Sequence, residues 1–222
     1  SVALLIGGVS FEEQDRKLQR GVDVLIATPG RLLDHFERGK LLLTGVDILV
    51  IANALNAAND NNWVLPTPSA FTQDEIAAVV DWVDKGGSLL LIADHMPFAG
   101  AAAELAASLG FLFTNGYAAD FRDRKMTFSF SPASGLDLTG LGDQGLPEIN
   151  SVVTFTGQAF TIPSVAHSLL TLKGKYGAFL PDVAGKFDRT TPVVDVSGYS
   201  QGAIVNFGKG RVAVFGEAGA VT

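Results

Sequence analysis

The sequence predicts an α/β fold in three layers: a mostly parallel, doubly wound sheet carrying helices, extended by antiparallel β structure in its C-terminal third. Three observations predict it. Short continuous apolar runs, the kind parallel strands show when both faces are covered, alternate with helix-compatible segments up to residue 110. The clearest is Ser88-Leu89-Leu90-Leu91-Ile92, held between Gly86-Gly87 and Asp94-His95 and followed by an alanine-rich segment, 99–110. Beyond residue 127 the runs shorten, alternate in polarity and are separated by glycine-bearing turns, as in antiparallel hairpins.

Taken in order, Val2-Ala3-Leu4-Leu5-Ile6 reads as a strand ending at Gly7-Gly8, and 11–20 as a charged helix with Ser10 at its N-cap. Residues 22–27 form the next strand, 30–38 a helix stopped at Gly39, and 46–51 the third strand. Strands joined by helices at this spacing cross over right-handed, which makes them parallel. Asn59 through Pro68 is a polar, proline-containing loop. Thr72 then caps a helix over 73–85, in which Ile76, Val79, Val80 and Val83 give one apolar stripe. Later, 127–131, 152–156 and 159–162 are short strands, with Gly157-Gln158 as a two-residue hairpin turn between the last two. A second hairpin joins 203–207 to 211–215 through Gly208-Lys209-Gly210, while 142–147 and 182–191 are loops. Residues 1–222 read as a single domain without repeats.

Hydrophobic residues are 47% of the 222 and charged residues 18%, so a sizeable core is expected and disorder is not. A formal net charge of -7 repels phosphate and argues against a general nucleic-acid or anionic-membrane partner. The absence of cysteine removes disulfides, thiolate metal sites and a cysteine nucleophile together, and leaves no redox mark of compartment. No apolar run reaches the roughly 18 residues of a membrane span. Residues 1–20 lack a signal-peptide pattern, so a cytoplasmic location is the default. The chain opens inside a strand, and an upstream piece is expected.

Residues 1–51 resemble a piece of the first RecA-like domain of DEAD-box RNA helicases. Gly7-Gly8 matches that family's double-glycine motif and Thr28-Pro29-Gly30-Arg31 its Thr-Pro-Gly-Arg motif, with 22–27 and Leu32-Leu33-Asp34-His35 fitting around them. The resemblance implies RNA-backbone contacts at Gly7, Gly8, Thr28 and Arg31. It also implies Asp-Glu-Ala-Asp after the third strand, to hold magnesium and polarise water, but this sequence reads Ala52-Asn53-Ala54-Leu55 there. No Gly-x-x-x-x-Gly-Lys-Ser/Thr phosphate loop occurs, and no second RecA-like half follows. Without a phosphate cradle or a magnesium ligand, neither ATPase nor helicase activity is expected.

Residues 46–222 resemble a different group, the class I glutamine amidotransferase-like superfamily of flavodoxin-like domains, through the order helix, Gly-Gly, strand, turn, alanine-rich helix and Leu109-Gly110-Phe111. The resemblance is closest to an uncharacterised bacterial branch marked by Ile51-Ala52-Asn53-Ala54-Leu55, Ile92-Ala93-Asp94-His95-Met96-Pro97-Phe98 and Phe215-Gly216-Glu217-Ala218. Working amidotransferases carry a nucleophilic cysteine in the turn after the matching strand. Here that turn holds Asp94-His95, which excludes glutaminase chemistry by the thiolate route. The chain therefore reads as a chimera, a recombinant fusion with its seam in or beside 46–51. Both parents supply a βαβαβ lead-in there, so helicase-derived strands complete a flavodoxin-like sheet.

In an open parallel sheet the ligand crevice lies at the carboxyl ends of the strands. Asp94 and His95 stand at such an end and are the leading candidates, because a neighbouring acid and imidazole can share a proton or bind a metal. The structural alternative has Asp94 capping the next helix and His95 packing over a loop. Glu217, after the last strand, either joins them or accepts backbone N–H bonds in its own Gly-Glu-Ala-Gly turn. Asn53 either orients a ligand or makes an Asx-turn. Asp120, Arg122, Asp123 and Arg124 read as a solvated loop or a lid; Thr28 and Pro29 as helix-start residues; His35 and His167 as histidines without an evident partner.

Three functions follow. The leading one is a non-catalytic domain binding a small ligand through Asn53, Asp94 and His95, over a pocket beneath Asn53 and Asp94. The second is a hydrolase using Asp94, His95 and Glu217, with or without a metal. The third is a remnant RNA contact through Gly7, Gly8, Thr28 and Arg31. No cofactor, resident metal, nucleic acid or membrane is expected as a partner.

Overall fold

The computed structural model describes residues 2–5, 12, 14, 16, 20, 24–27, 46–121, 126–142, 145 and 148–219. Four parallel strands come first: β1 (Val2–Leu5), β2 (Val24–Ala27), β3 (Ile48–Ala52) and β4 (Ser88–Ile92). They pair in chain order. On the other side of β4, β14 (Gly210–Phe215) adds in parallel, and β13 (Ser200–Phe207) pairs antiparallel with β14. The sheet continues antiparallel through β9 (Phe160–Thr161) to β5 (Leu112–Phe113), and β10 (His167–Thr171) also pairs with β13.

A doubly wound sheet reverses its strand order beside its first strand, whereas β1 to β4 advance in one direction. Right-handed crossovers in a single direction place the connecting helices on one face. Helices α1 (Gln73–Asp84) and α2 (Phe98–Ser108) do share one face, where Val79, Val83, Ala102 and Leu105 bury Leu49, Leu89, Leu91, Val212 and Val214. Alternation along β13 and β14 sends Ile204 and Phe215 to the other face, into a second core with Phe128, Phe130, Leu170 and Tyr176. That core is roofed by a three-stranded antiparallel sheet of β6 (Tyr117–Asp120), β11 (Tyr176–Phe179) and β12 (Val193–Asp195). Beside it lies the antiparallel pair of β7 (Thr127–Phe130) and β8 (Val152–Phe155). Among the described residues of β2 and β3, Ile26, Ile48 and Ala52 on the second face are exposed and Val50 is half-buried, contrary to the expectation of strands covered on both sides.

Helix α1 starts where its sequence requires. Glu75 N–H donates to Thr72 Oγ1 at 3.3 Å while Thr72 N–H donates to Glu75 Oε2 at 2.7 Å, a reciprocal capping box. The β13–β14 turn has Gly208 at φ 57°, and Lys209 N–H donates to the Asp84 carbonyl at 2.9 Å, which ties the turn to the end of α1.

Three expectations are corrected. Gly157-Gln158 is no hairpin turn, because β8 pairs with β7 and β9 with β13. Gln158 is fully buried and its N–H donates to the Gly216 carbonyl at 2.7 Å, so tertiary bonding overrides the local turn signal. His167 begins β10, with Asp137 Oδ1 at 3.4 Å from its Nε2. Asp120 is not solvated; it ends β6 opposite Tyr176 and is buried. Gly7, Gly8, Thr28, Pro29, Arg31, His35, Arg122, Asp123 and Arg124 lie outside the described residues, as do most of 11–20 and all of 30–38. No helix among the described residues is long and apolar enough to cross a membrane.

Candidate functional site

Strands β3 and β4 end side by side, with Ala52 opposite Ile92. One residue on, Asn53 turns into the left-handed region at φ 48°, which asparagine enters more readily than most residues. Its N–H donates to the Ile92 carbonyl at 2.9 Å and its Oδ1 accepts from Asp94 N–H at 3.0 Å. Asn53 thus staples two strand ends together rather than closing an Asx-turn in its own segment.

Asp94 Oδ1 accepts from His95 N–H at 2.6 Å. Helix α2 begins with Pro97 at its N-cap and no side-chain cap, so Asp94 does not cap it. His95 Nδ1 lies 2.8 Å from the Met96 carbonyl. A carbonyl only accepts, so Nδ1 carries a proton, and the free lone pair of the imidazole form is the one on Nε2.

The His95 ring stacks on Tyr117, with centroids 4.2 Å apart and planes 20° apart. The Tyr117 hydroxyl donates to the same Met96 carbonyl at 3.1 Å. Burial pushes the Tyr117 phenol above its ordinary pKa; a backbone hydrogen bond from Gly185 opposes this, and the Asp94 charge adds to the rise. The neutral phenol is the form the fold favours. Its contribution to stability is therefore intact below the ordinary tyrosine value of about 10 and lost as pH rises through the higher folded value. In a near-UV titration, the difference between wild type and Tyr117→Phe is expected to show ionisation displaced to high pH. Asp94→Asn should move it part of the way back, since burial is the larger cause. Ionisation of Tyr117 at or below the ordinary value would contradict this geometry.

Glu217 is 6% exposed. Its Oε1 accepts from Gly219 N–H at 2.7 Å, and its Oε2 is buried without a partner, like Gln158 Nε2 and Thr114 Oγ1 nearby. Gly157, at φ 69°, packs under it; a Cβ there would collide with the Gly216 carbonyl and the Glu217 side chain. No hydrogen bond or ion pair joins Glu217 to Asp94 or His95. The structure therefore brings Asn53, Asp94 and His95 together and gives Glu217 a role in its own loop. Among the described residues, no three histidine, aspartate or glutamate side chains are grouped to hold a metal.

A cavity of about 580 Å³ is lined by Ala119, Asp120, Phe121, Met126, Phe179 and Phe187. This cavity is a different place from the edge at Asn53 and Asp94. It lies beyond Tyr117, whose ring meets Phe187 edge-on at 5.0 Å. Neither Tyr117 nor these phenylalanines stood out in the sequence. The signal available was the density of aromatics at 117–121, 176–179 and 187, in segments without a chemical motif.

No family model matches the chain. Over 51 residues, 23% of the chain, it is 45% identical to the ATP-dependent RNA helicase HAS1 of Chaetomium globosum. Over 48 residues it is 56% identical to the ATP-dependent RNA helicase DBP2 of Eremothecium gossypii, and over 53 residues 47% identical to RhlB of Xanthomonas axonopodis pv. citri. The chain spans only 9% of the length of each of these relatives. Among solved structures, the mmIFT52 N-terminal domain superposes with a TM-score of 0.50 over 98% of this chain and 86% of that one, at 15% identity, a likeness of fold alone. The chain is thus similar to RNA helicases over less than a quarter of its length, and with no cysteine and no grouped metal ligands among the described residues it carries no assignable helicase or glutaminase activity.

Proposed function

We propose that this chain is a non-catalytic, amidotransferase-like domain that holds a small ligand at the carboxyl edge of its parallel strands, beside Asn53, Asp94 and His95. The flavodoxin-like part of this reading is drawn from the sequence pattern of 46–222, with the helicase-like segment supplying the outermost strands. The observation that carries it is the direction of the hydrogen bonds at that edge. Asp94 uses one carboxylate oxygen on His95 N–H, and His95 uses Nδ1 on a carbonyl. The second Asp94 oxygen is an acceptor, as is Nε2 of the imidazole form of His95, so the edge suits a ligand that brings hydroxyl or amino donors.

Two-dimensional NMR of labelled protein titrated with ethanolamine and with glucose tests the reading. Saturable shifts centred on the Asp94 and His95 signals, weakened by Asp94→Asn, are expected. Absence of saturable shifts there sinks the binding reading, and hydrolysis of p-nitrophenyl acetate that disappears in His95→Gln would replace it with the hydrolase of Asp94, His95 and Glu217.

A further inference from the structure

We propose a second ligand site, separate from the carboxyl edge: the cavity between β6, β11 and the loop bearing Phe187 takes a flat aromatic molecule that is neutral or cationic. Its volume of about 580 Å³ lies within the span of roughly 300–1,000 Å³ typical of small-molecule pockets. Phe121, Phe179 and Phe187 on its wall stand in series, and Tyr117, outside the lining, continues the series. Tyr117 meets Phe187 at 5.0 Å and 86°, Phe187 meets Phe179 at 5.6 Å and 60°, and Phe179 meets Phe121 at 5.8 Å and 77°. Such a run of edge-to-face rings leaves faces and edges at its ends for another ring to continue, each pair being worth about 0.5–1.5 kcal/mol beyond area burial.

Two of these rings are incompletely covered. Phe121 is 45% and Phe187 43% exposed, which is unusual for large apolar side chains gathered around one hollow. The backbone is shaped to keep Phe121 there: on Gly177, in the middle of β11, any Cβ would run into the Phe121 ring. Charge sets the rest of the selection. The chain carries a net charge of -7, so an anionic ligand is disfavoured and a neutral or cationic ring is preferred.

The test is a fluorescence titration of the intact chain with proflavine, a flat aromatic cation with amino groups, against 8-anilinonaphthalene-1-sulfonate, an apolar anion. Saturable binding of one proflavine per chain is expected, with the sulfonate weaker by about tenfold or more. Phe187→Ala, which removes a wall from an exposed loop, and Ala119→Leu, which fills the hollow, should each weaken proflavine about tenfold. Leu112→Ser, an exposed apolar position on β5, should leave it unchanged. Circular dichroism melts show that each variant folds, and Phe187→Ala decides the matter if Ala119→Leu does not fold. Absence of saturable binding, or binding indifferent to Phe187→Ala, overturns the site; equal binding of the sulfonate overturns its charge preference. None of these outcomes depends on Asp94 or His95, so the edge reading stands or falls separately.

Discussion

Replacing Gln201 by leucine is expected to lower the stability of the fold by about 2–5 kcal/mol, although leucine is apolar and similar in size. Gln201 lies on β13 and is fully buried. Its Nε2 donates to the Thr156 carbonyl at 2.5 Å and the Gln158 carbonyl at 3.3 Å, and its Oε1 accepts from Thr154 Oγ1 at 2.9 Å. This one amide bonds the irregular segment after β8 to the main sheet. Leucine would strand two carbonyls and a hydroxyl in a site closed to water, and an unsatisfied buried group costs about 1–3 kcal/mol. Urea unfolding should show a lower midpoint with an unchanged slope. A loss below about 1 kcal/mol would mean that the segment finds other partners.

Phe111→Ala is expected to cost about 3–5 kcal/mol, the range for truncating a buried aromatic ring. Phe111 follows α2 and is fully buried; it meets Phe160 edge-to-face at 5.9 Å and 77°, and Phe160 in turn meets Phe113 at 5.6 Å. The ring locks the end of α2 to the antiparallel end of the sheet. Phe111→Leu, which keeps most of the volume, should cost less than about 1.5 kcal/mol. A double-mutant cycle with Phe160→Ala isolates the ring pair, with an expected coupling of about 0.5–1.5 kcal/mol. Additivity of the two single losses would show that the rings are merely neighbours.

How far the sequence could be read depended on the range of the interactions. Local signals were sound where local physics decides. Thr72 and Glu75 announced the start of α1, the Ser88–Ile92 run announced β4, and Gly208-Lys209 announced the β13–β14 turn. Strands β6, β10 and β11 went unread because their partners are remote and their residues do not alternate. Tyr117-Ala118-Ala119-Asp120 is buried throughout, and its partner begins at Tyr176. The Gly157-Gln158 error has the same root, since a side chain on β13 decides where that segment goes. In the site, Asn53, Asp94 and His95 were readable because a strand end implies a crevice. Tyr117 and the aromatic cavity were not, being assembled from segments that carry no motif of their own.

The place of β14 bears on how the molecule comes to be made. Its parallel neighbour β4 and its antiparallel neighbour β13 are separated by more than a hundred residues, yet β14 lies between them, after every other described strand has been synthesised. During translation β4 keeps one open edge, and Leu89 and Leu91 lack the Val212 and Val214 side chains that join them in the core, until that late segment emerges. Pairing at such sequence separation is slow, and unsatisfied strand edges invite association with other chains. A ribosome-bound chain halted before Gly210 should therefore be protease-sensitive and prone to aggregate, and release of the final hairpin strand should close the sheet in one cooperative step.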